Sequence, residues 1–320
     1  MKKEQNVDKK SINLDYIDPD VAYLVGMIVA RGSFYQDGDV RRLVIQFPYR
    51  LDAMTPVPNS KINIDKESAL RLSLDEVRTR IAELLESNLD IQRKSHEVSL
   101  SAVFTKETIG WRDLKYITGD KSNYHEFEVP EVIFDSDPDI QKEFIRGIVD
   151  TSSDPSYADR AQGERQRIVI QIQFGNWKLP VQICRLLQEY LNVPVSNILW
   201  GHPNLRAPSG GSSWAKETRI RIFAEAFEHI GFNFAYKQRL FEELVKFNHE
   251  RSYSAPKTCN PKTKKLRGRK QRHKDENSER LPEYLRGKHF NCYYKICQAL
   301  GCKQGKKGPQ KEFFEVDEED

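Results

Sequence analysis

Arginine and glutamine alternate with apolar residues in three short stretches, and this pattern is the one best suited to chemistry. Arg42 and Gln46 lie in RLVIQF, Arg165, Arg167, Gln171 and Gln173 in RQRIVIQIQ, and Arg219 and Arg221 in TRIRIF. In a strand such alternation puts Leu43, Ile45 and Phe47, and later Ile168, Ile170, Ile172 and Phe174, on one face and the polar side chains on the other. Arginine matches guanine edges, glutamine matches adenine edges, and both reach phosphates. The same composition also suits a merely solvated face. From Pro256 to Asp275 the chain carries nine Lys/Arg and one acid, including Lys264, Lys265, Arg267 and Arg269. A basic linker of this kind would lie along a nucleic-acid backbone and add salt-dependent affinity without sequence preference. Cys292, Cys297 and Cys302 invite a zinc reading, with Cys259, His273 or His289 as a fourth ligand. On a helix their spacing sends successive sulfurs ~140° apart, so zinc is not expected.

The elements that would position these residues are written twice. VGMIVARGSF (25–34) and RGIVDTSSD (146–154) are apolar, carry one glycine each and end abruptly in polar residues. Each follows Asp-Pro-Asp, at 18–20 and 137–139. Aspartate is a good N-cap, proline suits the first helical position, and an acid in the first turn favours the helix dipole. Both read as helices of roughly four turns, the first stopping at Gly32. The strands 42–47 and 167–172 follow. Then come helices at 73–87 and 177–191, strands at 97–104 and 217–224, and an Ile-Gly-aromatic step, TIGW (108–111) and HIGF (229–232). A final helix, KQRLFEELVKF, closes the second copy. Gly26 with Ala30, and Gly147 with Thr151, are four residues apart and share a helix face. Small residues there let two backbones approach closely.

The chain has 320 residues, 31% of them charged, with a net charge of +4, which fits a soluble globular protein rather than a disordered one; the order of elements makes it α+β. No apolar run approaches the ~20 residues of a membrane span, and MKKEQNVDKKS lacks the apolar segment of a secretion signal. Five cysteines without a compact framework favour a reducing compartment, cytoplasmic or nucleoid-associated. Three segments are expected: a first repeat at 12–125, a second at 126–250, and 251–320 as basic linker, short helical module and acidic tail. The helical module would occupy 281–302, broken at Gly287.

From residue 18 to about 247 the sequence resembles the LAGLIDADG homing endonuclease family in its single-chain form. LVGMIVARGSF and FIRGIVDTSS stand at the signature helices, the second preceded by VPEVIFDSDPDIQKE. The resemblance implies two ββαββα-type halves forming a saddle over the major groove of double-stranded DNA, with Gly26, Ala30, Gly147 and Thr151 at the helix interface. No second copy of the chain would be needed. It also implies acids for divalent metal near the end of each signature helix. Here Arg31 and Ser152 take those places, and of the earlier acids only Asp150 remains, Val29 standing at its counterpart. Arg31 puts a positive charge where a cation should bind, a repulsion of roughly 4 kcal/mol at ~4 Å. The paired-metal site and cleavage are therefore expected to be lost. No cofactor is then expected, and Mg²⁺ only if nuclease activity survives.

Several alternatives stay open from sequence alone. Arg31 grips a central phosphate, or it pairs with Asp150. The chain is a DNA-binding regulator or the targeting subunit of a system whose protein partner does the chemistry. Otherwise Asp150, with Asp154 or Asp20, holds one metal and nicks DNA, or the chain binds intron RNA as a splicing cofactor.

Overall fold

The computed structural model describes residues 17–48, 65–85, 87–94, 97–104, 109–153, 155, 165–173, 178–199 and 217–251. The chain is α+β, with antiparallel sheets. Helix α1 (Pro19–Arg31) runs into a hairpin of β1 (Gly32–Asp37) and β2 (Val40–Pro48). Then follow α2 (Lys66–Leu85), β3 (Leu89–Lys94), β4 (Glu97–Phe104), α3 (Ile109–Ile117) and the short α4 (Glu131–Asp135). The second half begins with α5 (Pro138–Ser152) and β5 (Arg167–Gln173). It continues with α6 (Lys178–Arg185), which widens into a π turn at Leu186–Tyr190, then β6 (Val195–Leu199), β7 (Glu217–Phe223) and α7 (Ala235–Glu250).

The start signals act unequally. Asp18 caps α1 by accepting from the Val21 N–H at 2.8 Å, whereas Asp137 makes no side-chain cap bond to α5. Gly32 ends α1 as expected, and Ser153 ends α5. The strands at 42–47, 97–104, 167–172 and 217–224 form within a residue or two of their expected places. The helix expected at 73–87 starts seven residues earlier, at Lys66. Three strands were not legible: β1, β3 and β6, each too short or too irregular in its alternation to stand out.

Sheet order is β1-β2-β4-β3 in the first half and β5-β7-β6 in the second. The strand registers correspond. Gly32 pairs with Ile45 and Ile45 with Leu100, while Ser153 bridges Ile170 and Ile170 pairs with Ile220. This equates Arg42 with Arg167, Gln46 with Gln171, and each β4 residue with a β7 residue. Where the first half has the full strand β1, the second has only the Ser153 bridge.

Helices α1 and α5 pack against each other through their glycines. A Cβ on Gly26 would lie 2.1 Å from the Phe144 carbonyl oxygen, and one on Gly147 would lie 2.1 Å from that of Tyr23. Nothing but hydrogen fits at either place. Ala30 and Thr151 are buried farther along, and Thr151 donates its hydroxyl back to Gly147 O at 2.8 Å. The inner sheet faces (Leu43, Ile45, Phe47 and Leu100; Ile168, Ile170, Ile172 and Ile220) join the helices in one continuous core. Their burial leaves the Arg/Gln side chains to the opposite face, as alternation requires. Among the described residues no helix is long and apolar enough to cross a membrane.

Candidate nucleic-acid interface

At the helix ends the two halves diverge. Arg31 is the last residue of α1 and only 6% exposed; its Nη2 donates to Gln171 O on β5 at 3.4 Å. Ser152, its counterpart, donates its hydroxyl to Ile148 O at 2.7 Å within α5. Asp150 does not pair with Arg31, contrary to one of the sequence alternatives. Its carboxylate, 1% exposed, instead accepts from the Tyr23 hydroxyl at 2.8 Å and from the backbone N–H groups of Asn233 (3.0 Å) and Phe234 (3.3 Å). Those two amides stand at the start of α7, where orphan donors and the helix dipole favour an anion. Gly231, at φ +70, makes the turn that presents them. From the first turn of α7, buried Lys237 reaches back and donates to Asp150 O (2.7 Å), Val149 O (3.4 Å) and Ser153 O, buried carbonyls at the end of α5. Each helix thus caps the other. Burial pushes the Asp150 carboxyl up to about 6, against the opposing pull of Lys237, Tyr23 and the two amides. Burial, and then the Asp150 charge, raises the Tyr23 hydroxyl well above its ordinary value.

This donor set does not fit the divalent ions of the resembled family. Arg31 brings a cation, the Ser152 hydroxyl is engaged within its own helix, and Asp150 is turned into α7. Asp20, proposed as an additional ligand, is paired with Arg80, and Asp154 lies outside the described residues. Among the described residues no three His, Cys, Asp or Glu side chains come together to hold a metal.

The outer face of the second sheet is cationic. Arg221 on β7 stands opposite Val169 and Asn197, Arg219 opposite Gln171, and Phe223 opposite Arg167. The Arg167 guanidinium lies 4.8 Å from the Phe223 ring centre. Burial first, and then the like charges of Arg167 and Arg219, lower Arg221 to about 10. Arg167 is lowered by burial and by Arg165, with Glu225 pulling the other way. An arginine depressed by its arginine neighbours marks guanidiniums crowded together on one face. Arg165, expected in the same row, sits at its edge, ion-paired with Glu225 and stacked 4.0 Å from the Phe223 ring. Through Gln171, Arg31 is joined to this face.

The outer face of the first sheet is different. Arg42 is exposed between Tyr35 and Val103, its cross-strand neighbours. Gln46 donates to Glu97 at 3.4 Å, and Ser99 and Ser101 occupy the β4 positions that correspond to Arg219 and Arg221. Lys237, Tyr23 and the β4/β7 contrast escaped sequence reasoning. The only hint of the first was the lysine that follows the second Ile-Gly-aromatic step. The side chain of Gln173, the basic residues Lys264, Lys265, Arg267 and Arg269, four of the five cysteines and the 281–302 module all lie outside the described residues. The fifth, Cys184, is free and buried.

Two glycine-bearing helices packed back to back, each followed by strands of matching register, define a LAGLIDADG-like fold. No protein-family model matches the sequence, and no curated protein is similar to it. Among solved structures the chain is similar to the homing endonuclease I-DmoI in complex with DNA and Mn, at 19% identity. That match covers 67% of this chain and 96% of that one, with a TM-score of 0.35. It is also similar to full-length DUF199/WhiA from Thermatoga maritima (14% identity, 77% and 64% covered, TM-score 0.40). The N-terminal LAGLIDADG domain of DUF199/WhiA is a further match (13% identity, 73% and 86% covered, TM-score 0.36).

Proposed function

We propose that the chain is a sequence-recognising, double-stranded DNA-binding protein on a homing-endonuclease-like scaffold that has lost cleavage, acting as a regulator or as the DNA-targeting subunit of a larger system. The observation that carries this reading is the crowding of the half-buried Arg167, Arg219 and Arg221 on the outer face of the second sheet. Like charges held close repel one another, a polyanion bound over them relieves that repulsion, and a duplex supplies one negative charge per ~1.7 Å of axis. In this reading the repeats at 12–125 and 126–250 are related by a pseudo-twofold axis between α1 and α5. Their outer faces form a saddle, and a single chain covers both halves of the target. Arg42, Gln46, Arg167, Gln171, Gln173, Arg219 and Arg221 face the groove, Arg165 braces its edge, and Arg31 neutralises a central phosphate through its fork of N–H groups. Lys264, Lys265, Arg267 and Arg269 add backbone affinity from the segment 251–320. A DNA-bound protein of this kind works in a reducing, nucleoid-associated setting.

Binding of duplex DNA over a salt series tests the reading. Wild type should show a steep negative slope of log affinity against log salt, and Arg219→Ser/Arg221→Ser a shallower one by roughly 2. A slope unchanged by the double variant would refute it. Incubation with plasmid and Mg²⁺ or Mn²⁺ addresses the loss of cleavage, since metal-dependent nicking by pure protein would show that chemistry survives.

A further inference from the structure

Of the five large apolar side chains that are exposed among the described residues, three cluster on one sheet face while Leu72 and Tyr116 lie on helices. Tyr35 is 55% exposed, Val40 50% and Val103 53%, and all three stand on the outer face of the first sheet. Tyr35, Arg42 and Val103 form one row across β1, β2 and β4, and Val40 lies two residues from Arg42 on the same side of β2. Two strand spacings make that row about 10 Å long, which is close to three base-pair steps of a duplex. Asp37 and Asp90 are exposed on the same face, and Glu97 is partly so. These carboxylates repel phosphates, so this sheet cannot hold a duplex by charge as the second one can.

Resting on the DNA-binding reading, we propose that this strip reads the 5-methyl groups of thymine in the major groove, with Val103, Val40 and Tyr35 as the contacting side chains and Arg42 as the polar anchor between them. The thymine methyl is the one apolar group that a base pair presents there, and small aliphatic and aromatic side chains are its usual contacts. The strip occupies the strands, in the same register, that correspond to the cationic face of the second half, and in the DNA-binding reading both face the same duplex. A protein partner suits it less well. Three half-exposed side chains fall far short of the roughly 800 Å² per partner that a stable interface buries. The target is thereby bipartite: one half is gripped chiefly through charge and guanine or adenine edges, the other is selected by methyl contact.

The test uses the full chain. A random duplex pool is selected for binding and sequenced, and thymine is then replaced by uracil one half of the selected site at a time. Uracil lacks only the methyl group. It should weaken binding about fourfold per contacted methyl in one half of the site and leave the other half unaffected. Val103→Ser, an exposed change on a strand that already carries serines, should bind the selected duplex more weakly and show less sensitivity to uracil in that half, Val40 and Tyr35 retaining the remainder. Equal indifference to uracil in both halves would overturn the proposal while leaving DNA binding intact, and so would undiminished sensitivity in Val103→Ser. Failure to bind any duplex would remove the DNA-binding reading and this proposal with it.

Discussion

Strands β4 and β7 occupy corresponding places in the two halves, and almost all of the difference between the sheet faces is written on them. Their neighbours β2 and β5 are nearly identical, with Arg42 matching Arg167, Val44 matching Val169 and Gln46 matching Gln171. Across from them, however, β4 offers Ser99, Ser101 and Val103 where β7 offers Arg219, Arg221 and Phe223. An arginine beside valine is exposed, and an arginine beside phenylalanine and two further arginines is half-buried with a depressed pKa. The exchange of Ser99 and Ser101 for Arg219 and Arg221 thus changes the charge of a face whose exposed acids, Asp37 and Asp90, lie on β1 and β3. The helix ends show the same economy: Val29 is merely buried core, whereas Asp150, its counterpart, organises the start of another helix.

The helix crossing is the feature the two halves share most closely, and breaking it should have the largest effect. Gly26→Ala and Gly147→Ala each drive a Cβ into a backbone carbonyl of the facing helix. Either should cost about 3 kcal/mol or more and lower the midpoint of thermal unfolding by about 10 °C. Equal losses measured by calorimetry would show that both backbones are equally unyielding. A loss confined to one variant would show that the facing helix can give on that side.

Next in size is the lock that only the second half possesses. The Asp150 carboxyl titrates near 6 when folded and close to 3.8 otherwise, so the native state holds the proton more tightly between those values. Its contribution to stability is complete below about pH 4 and is lost as pH rises through 6, a difference on the order of 2–3 kcal/mol. Urea titrations at pH 4 and pH 7 should show Asp150→Asn losing less stability over this interval than wild type. The same slope in both proteins would place the titration elsewhere. Lys237→Met removes the other arm and leaves buried carbonyls without donors, at about 1–3 kcal/mol.

Exchanging the faces should have a smaller effect. Arg219→Ser/Arg221→Ser gives the second sheet the composition of the first, relieves repulsion, and should leave the fold as stable or slightly more so while weakening duplex binding roughly tenfold at moderate salt. Measured by fluorescence anisotropy, a loss of binding without loss of stability is the signature of charges retained for a partner. If stability falls instead, the arginines are structural and the contrast between the sheets has been misread.

The repeat, the glycine contact and the inner strand faces were legible because each is a periodic property of the chain. Gly26 and Gly147 sit in matching apolar runs, and alternation in RLVIQF and RIVIQI needs no knowledge of neighbours. Asp150 stands out in the sequence as the surviving acid of the motif, but its partners do not, because nothing local to it reveals Tyr23, 127 residues earlier, or the amides of Asn233 and Phe234. The crowding of Arg167, Arg219 and Arg221 depends on strand register, which joins residues about 50 apart. Single residues had been visible, and the cluster had not.

The smallest expected effect concerns the two start signals, which look the same in sequence. Both helices open with Asp-Pro-Asp, yet only Asp18 accepts a backbone N–H, from Val21 at 2.8 Å. If that bond is what the aspartate contributes, Asp18→Ala should cost about 1 kcal/mol and Asp137→Ala only a few tenths, leaving just the dipole interaction in the latter. In α5 the first turn is held differently: Gln141 donates its amide to Phe134 O (3.2 Å) and Ser136 O (2.9 Å), tying the helix to the loop that delivers it. Gln141→Ala should therefore cost more than Asp137→Ala, reversing the order that the shared motif suggests. Denaturation curves for the three variants rank them directly. Equal costs for Asp18→Ala and Asp137→Ala would mean that the dipole, and not the cap bond, is what both aspartates supply.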